Sequence, residues 1–181
     1  MELFSLENKT ALITGAGGLL GIKHAEALIE CGAEVIITDY HIDRAVEKSD
    51  LLNEKYNAPV SSALYMDVTK KETIENVIKK FDKIDILINN AASDPKVKKG
   101  AASSFLNTRF ETMTEKYWHD ATRAIIDGTF LCSQAVSNKM LKTSGGVILN
   151  IASDLSAIAP DQRIYKNKTL PDDSQFVKPI T

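Results

Sequence analysis

Cysteine is scarce in this 181-residue chain, positive charge is not in excess, and no apolar run approaches the ~20 residues of a membrane-spanning helix. The two cysteines, Cys31 and Cys132, fall in unrelated segments without metal-ligand spacing. Neither a disulfide scaffold nor a metal site is therefore expected, and a reducing, cytoplasmic setting fits. The formal net charge of -2 leaves no global positive field, which makes nucleic acid and anionic membrane poor partners. The opening residues, MELFSLENKT, carry Glu2 and Glu7 and lack both the basic start and the apolar run of a secretory leader. Internal repeats and low-complexity tracts are absent. What is present, 44% hydrophobic and 25% charged residues, is the composition of an ordinary soluble domain, and one domain over 1–181 is the default expectation.

Short apolar runs alternate with longer stretches of helical periodicity, the pattern of βαβ units around a parallel sheet buried on both faces. Strands are expected at residues 11–14, 35–38, 63–66, 84–88 and 147–151, and helices at 20–31, 42–56, 70–81 and 115–141. This order predicts an α/β, doubly wound Rossmann sheet. Thr69 with Glu72, and Thr112 with Glu115, have capping-box spacing, and Gly145 and Gly146 close the longest helix. Segments 91–111 and 154–181 lack periodicity; each follows the C-terminal end of a strand, where open α/β sheets bind ligands.

Between the first strand and first helix the run ALITGAGGLLG places Gly15, Gly17, Gly18 and Gly21. Glycines there let the backbone turn tightly and approach a pyrophosphate, which the helix amides and dipole then stabilise. A tight turn without any ligand is the plainer alternative. Asp39 ends the run VIITD, close to the ~20-residue distance past the glycines at which a carboxylate accepts hydrogen bonds from adenosine ribose hydroxyls. The same charge repels a 2′-phosphate, and neither neighbour, Thr38 or Tyr40, is basic. The cofactor expected from these residues is NAD.

From the N-terminus to about Asp154 these motifs resemble the short-chain dehydrogenase/reductase family. TGAGGLLG, Thr14 to Gly21, resembles the family's TGxxxGxG turn, with Leu19 where the middle glycine is usual and Leu20 beside it. Asp67 with Val68 matches the family's acidic residue at the adenine amino group, and NNAA, Asn89 to Ala92, resembles the NNAG motif. The resemblance thus implies cofactor contacts at Asn90, Ala91 and Ala92 as well. NIAS, Asn150 to Ser153, aligns with the pattern that carries the catalytic serine, so Ser153 takes that position. A neutral hydroxyl there can hold a substrate carbonyl or alcohol during hydride movement; a serine that merely satisfies a loop backbone group is the alternative.

Two departures accompany the likeness. Ile125, in AIIDGTF, replaces the asparagine that usually supports a proton-relay water, so that relay is altered or absent. The family's YxxxK pair is also missing, because the residues four positions after Tyr40, Tyr56, Tyr65, Tyr117 and Tyr165 are Arg44, Val60, Thr69, Ala121 and Thr169. The tail from Ala159 resembles a loop that precedes that tyrosine in a bacterial subgroup of flagellin-modification oxidoreductases, associated with sugar or sugar-phosphate steps. On this likeness the domain is expected to be C-terminally incomplete at Thr181, with strand order 3-2-1-4-5, an exposed apolar edge at VILNI, and 154–181 as a long substrate-side loop. Complete members of the family are usually homodimers or homotetramers.

The expectation is an NAD-dependent oxidoreductase interconverting an alcohol and a carbonyl on a small molecule, these 181 residues alone having no turnover. The alternative is an NAD-binding sensor or interaction module. Phe105, Phe110, Tyr117 and Trp118 are candidates for a pocket wall but more commonly anchor a core. Arg109, Arg163, Lys166 and Lys168 read as solvated loop cations.

Overall fold

The computed structural model describes residues 2–93, 109–171, 175 and 177. The chain divides into two compact units, Met1–Ala92 with Ala124–Ile151, and Ser93–Arg123 with Ala152–Thr181. In the first unit, strands β1 (Thr10–Ile13), β2 (Glu34–Asp39), β3 (Ser61–Tyr65), β4 (Ile86–Asn89) and β5 (Val147–Asn150) form one parallel sheet in the order β3-β2-β1-β4-β5. Helices α1 (Leu19–Glu30), α2 (Ile42–Tyr56), α3 (Lys71–Ile78) and α4 (Glu115–Met140) connect them, α4 running from the second unit into the first. This is the doubly wound Rossmann arrangement.

Alternation along the central strands divides the core in two. Ala11 and Ile13 of β1 join Val35 and Ile37 of β2 in a cluster with Ala25 and Ile29 of α1 and Ala45 and Leu52 of α2. Leu12, Ile36 and Leu87 point the other way, into a cluster with Ile74 and Val77 of α3 and Cys132, Val136 and Met140 of α4. Strands buried on both faces have no polar side to show, hence the continuous apolar runs in the sequence. Burying each Leu or Ile fully contributes about 1.5–3 kcal/mol. Strand β5 is the edge, and Val147 and Leu149 are 63% and 48% exposed there.

The helix starts differ from the sequence expectation. Thr69 is not a cap, because the Asp67 carboxylate engages both its N–H and its hydroxyl, at 3.0 and 2.7 Å, in an Asx-type turn. Helix α3 instead starts after Lys70, without a side-chain cap, and stops at Ile78 rather than reaching residue 81. Thr112 lies in a separate helical turn, Phe110–Thr112, and the hydroxyl that accepts from the α4 backbone, at Tyr117 N–H, is that of Thr114.

In the second unit, single helical turns form at Asp154–Ser156 and Gln162–Tyr165. The Gln175 side chain accepts from Asn167 N–H and donates to the carbonyls of Asn167 and Leu170, tying this segment to itself. Phe110 is 88% exposed and Trp118 is exposed, so neither is a core anchor: each falls on a solvent-facing part of its turn or helix. Phe105 lies outside the described residues. Arg163 pairs with Asp161 and Arg109 with Glu111. Among the described residues no helix is long and apolar enough to cross a membrane.

Candidate functional site

The turn from β1 into α1 is built around places where a side chain would not fit. Gly15 has φ +61, and a Cβ there would lie 2.8 Å from Ala91 Cα. At Gly17 a Cβ would meet Arg44 Cβ at 2.7 Å and Asp39 Oδ2 at 2.9 Å. At Gly21 it would collide with Ala16 Cα and lie 2.9 Å from that residue's carbonyl carbon and oxygen. Helix α1 thus starts pressed onto the turn. Its N-cap, Gly18, offers no side-chain acceptor, and its first turn holds no acidic residue. The N-terminal amides and the positive end of the helix dipole are left for an external anion. Leu19, 83% exposed, and Leu20, also exposed, flank those amides with apolar surface.

Neighbouring strands hold this turn from both sides. On the β2 side, Ala16 N–H donates to Thr38 O at 2.8 Å and Gly17 N–H donates to Asp39 Oδ2 at 3.1 Å. Asp39 Oδ1 accepts from His41 N–H at 2.8 Å, and the residue is only 8% exposed. On the β4 side, the Thr14 hydroxyl accepts from Asn90 N–H and Ala91 N–H, at 3.0 and 2.9 Å. The Asn90 carboxamide donates to the carbonyls of Thr14 and Gly15, at 3.0 and 3.1 Å. Ala91, half-buried, closes over Gly15, and Ala92 follows exposed at the rim.

Beyond Asp39, Tyr40 is exposed, its ring 6.4 Å from that of Tyr65. Asp67 and Val68 are buried where the chain leaves β3. Burial pushes the Asp67 carboxyl up, but hydrogen bonds from Thr69 and the Lys70 ammonium at 3.2 Å outweigh it and hold the group below its ordinary range. Val68 packs against α4 where Gly128 leaves room, since a Cβ at Gly128 would lie 2.7 Å from a Val68 methyl.

The structure therefore brings the glycine turn, Asp39, Tyr40, Asp67, Val68, Asn90, Ala91 and Ala92 together at the C-terminal ends of β1 to β4 within one unit. Thr14 and Asn89, from the runs TGAGGLLG and NNAA, belong to this framework, and two further residues in it, Arg44 and Ser133, were missed. Asn89 is buried, and its Nδ2 donates to Ser133 Oγ of α4 at 2.9 Å and to Asn150 Oδ1 of β5 at 2.8 Å. Arg44 and Ser133 meet their partners through tertiary contact alone.

Ser153 lies in the second unit, just after the end of β5. It is exposed and is the N-cap of the turn Asp154–Ser156: its Oγ accepts from Leu155 N–H and donates to Asp154 Oδ1, both at 3.2 Å.

The family described as short chain dehydrogenase matches residues 9–165. The chain is 34% identical over 165 residues to an NAD-dependent glycerol dehydrogenase of Listeria innocua, covering 89% of this chain and 59% of that protein. It is 35% identical over 153 residues to a galactitol 2-dehydrogenase of Agrobacterium fabrum, covering 82% and 54%. The fold superposes, with a TM-score of 0.73 and 28% identity, on a gluconate 5-dehydrogenase from Burkholderia cenocepacia in complex with NADP and tartrate, covering 87% of this chain and 58% of that one. The chain thus spans less than two thirds of the length of these relatives.

Proposed function

The chain belongs to the short chain dehydrogenase family, and from this premise we propose that it is the nucleotide-binding part of a nicotinamide-dependent oxidoreductase that interconverts an alcohol and a carbonyl. The observation that carries the reading is the β1-to-α1 turn, whose glycines keep open a cradle that a Cβ at position 15 or 17 would fill, beneath an uncapped helix N-terminus. A dinucleotide fits this donor set. Gly17, Gly18, Leu19, Leu20 and Gly21 hold the pyrophosphate by backbone approach and helix amides. Asp39 accepts from the adenosine ribose, Tyr40 and Val68 flank the adenine, and Asp67 accepts from its amino group. Asn90, Ala91 and Ala92 line the path towards the nicotinamide.

The bound nicotinamide supplies the hydride acceptor or donor. Ser153 hydrogen-bonds the substrate oxygen as its charge changes. Its Oγ accepts from Leu155 N–H and donates to Asp154 Oδ1, both at 3.2 Å. NAD is the preferred cofactor because the Asp39 carboxylate suits a free ribose hydroxyl better than a phosphate; the Burkholderia relative was solved with NADP, so this preference rests on Asp39 alone. The relatives are named for glycerol, galactitol and gluconate. These names support a polyhydroxylated substrate as the reading for this protein. None of the five tyrosines has a lysine four positions on, so these 181 residues bind cofactor with little turnover.

Calorimetric titration with NAD tests the binding, with NADH formation followed over a panel of polyols and sugar acids. Saturable NAD binding without NADH formation is expected of this chain. A folded protein without affinity for NAD overturns the assignment of the turn, and turnover that survives Ser153→Ala overturns the role of the serine.

A further inference from the structure

A strand at the edge of a sheet turns half of its backbone N–H and C=O groups outward, where a strand of another chain can pair with them. In this sheet β3 is one edge, and its register with β2 fixes which groups those are. Val60 O accepts from Val35 N–H and Met66 N–H donates to Asp39 O, so the even-numbered residues here face β2. By alternation the backbone groups of Ser61, Ala63 and Tyr65 face away from the sheet.

Ser61 already has a partner. Its N–H donates to Asn53 Oδ1 at 2.9 Å, and Asn53 Nδ2 donates to Ser61 O at 3.0 Å. One side-chain carboxamide on α2 thus makes both of the bonds that a neighbouring strand would make to this residue. The Ser61 hydroxyl adds to the tie, donating to the carbonyl of the buried Ser49 at 3.1 Å, one helical turn before Asn53. Helix α2 does not depend on these bonds to pack, since its Ala45 and Leu52 are fully buried in the core. Just before the strand, Pro59 has no N–H to offer, which lengthens the blunt stretch. The opposite edge, β5, shows the exposed apolar side chains of Val147 and Leu149 instead.

We infer that Asn53 is an edge cap: its carboxamide closes β3 to strand addition, and the partner it excludes is the β3 of a second copy of this chain. Two such edges meeting about a twofold axis pair antiparallel. With Ala63 at the axis, the doubly bonded pairs are Ser61 with the second copy's Tyr65, Ala63 with Ala63, and Tyr65 with Ser61. Occupying Ser61 in both copies removes the first and the last of these and leaves the central pair alone, too short a ladder to hold two chains together.

Amide hydrogen exchange, sedimentation and a peptide probe test this on the full chain. In the unmodified protein Ser61 N–H should exchange about tenfold or more slowly than Ala63 N–H, after correction for intrinsic rates. Asn53→Ala should bring the two rates together and add a concentration-dependent doubling of mass over the unmodified protein. It should also bind a fluorescent peptide copying residues 60–66, at least about tenfold more tightly than the unmodified protein does. Leu149→Lys, introduced into both proteins, suppresses pairing through β5 and should leave these differences in place. Equal exchange at Ser61 and Ala63 in the unmodified protein overturns the inference, whether or not the variant folds. So does an Asn53→Ala protein that neither doubles in mass nor takes the peptide, and so does a doubling abolished by Leu149→Lys, which would place the association at β5.

Discussion

Gly21→Ala sets helix propensity directly against packing. Gly21 is the third residue of α1, and alanine in a helix interior is favoured over glycine by about 1 kcal/mol. Propensity alone thus predicts a more stable protein. The added Cβ, however, would collide with Ala16 Cα and lie 2.9 Å from its carbonyl carbon and oxygen, and these are backbone atoms that cannot rotate away. Ala16 cannot retreat either, being fully buried with its N–H bonded to Thr38 O. Helix α1 must move outward, towards ordinary carbon contact at ~3.5–4.0 Å. Overpacking of this kind typically costs about 1–3 kcal/mol, occasionally more, so the balance is a net loss of up to about 2 kcal/mol. Retreat also lifts the first-turn amides away from the pyrophosphate seat, so NAD affinity should fall by more than tenfold. Urea denaturation gives the first quantity and calorimetry the second. A Gly21→Ala protein that is more stable than the original and binds NAD equally well refutes the claim that α1 is pressed onto the turn.

Asp39→Ala should weaken NAD by roughly ten- to a hundredfold, from the loss of a charged hydrogen bond worth ~1.5–3 kcal/mol. It should also destabilise the free protein, because Gly17 and His41 N–H lose their acceptor; unchanged stability without ligand would mean the carboxylate does not hold the turn. Ser133→Ala should cost about 1 kcal/mol in denaturant unfolding, since Asn89 keeps its bond to Asn150, whereas Asn89→Ala should cost more; equal losses would contradict the branched geometry. At Asp85, burial pushes the carboxyl up, but Thr10 N–H at 2.9 Å and the Lys83 and Lys9 ammonium groups hold it below its ordinary range. A carboxyl depressed in the folded state contributes stability that is full above its unfolded pKa near ~4 and is lost as pH falls through the folded value. Asp85→Asn should therefore flatten the fall in stability below about pH 4, and an unchanged acid profile would count against the cluster.

Much of the fold was legible because strands buried on both faces leave a one-dimensional record: ALI, VIIT and ILIN have no polar face to lose. Strand order came from family resemblance and agrees with the sheet. The helix starts were less legible. Capping-box spacing at Thr69 and Glu72 is real, yet the Asp67 carboxylate two residues upstream takes the threonine hydroxyl first, a competition that spacing cannot display. The glycine turn and Asp39 were readable as residue types at the right places. That Asp39 also braces the turn was not, since the bond to Gly17 N–H depends on how two loops face each other. Arg44 and Ser133 illustrate the same limit: each acts on a residue far away in sequence, and neither belongs to a local pattern.

The Thr14 hydroxyl, receiving two amide N–H groups while the Asn90 carboxamide spans the next two carbonyls, has a consequence for how a ligand is received. Fixing a backbone residue in one conformation costs about 1–2 kcal/mol, and a loop that settles only around its ligand incurs that loss at the moment of binding. Here the turn is bolted to β2 and β4 before any ligand arrives, so its entropy is surrendered once, during folding. Binding then begins from a rigid seat, and the free energy of the phosphate contacts goes into affinity instead of into ordering the loop. The glycines and the pair Thr14 and Asn90 are therefore one device seen from two sides: the first leave room for the nucleotide, and the second keep that room from closing.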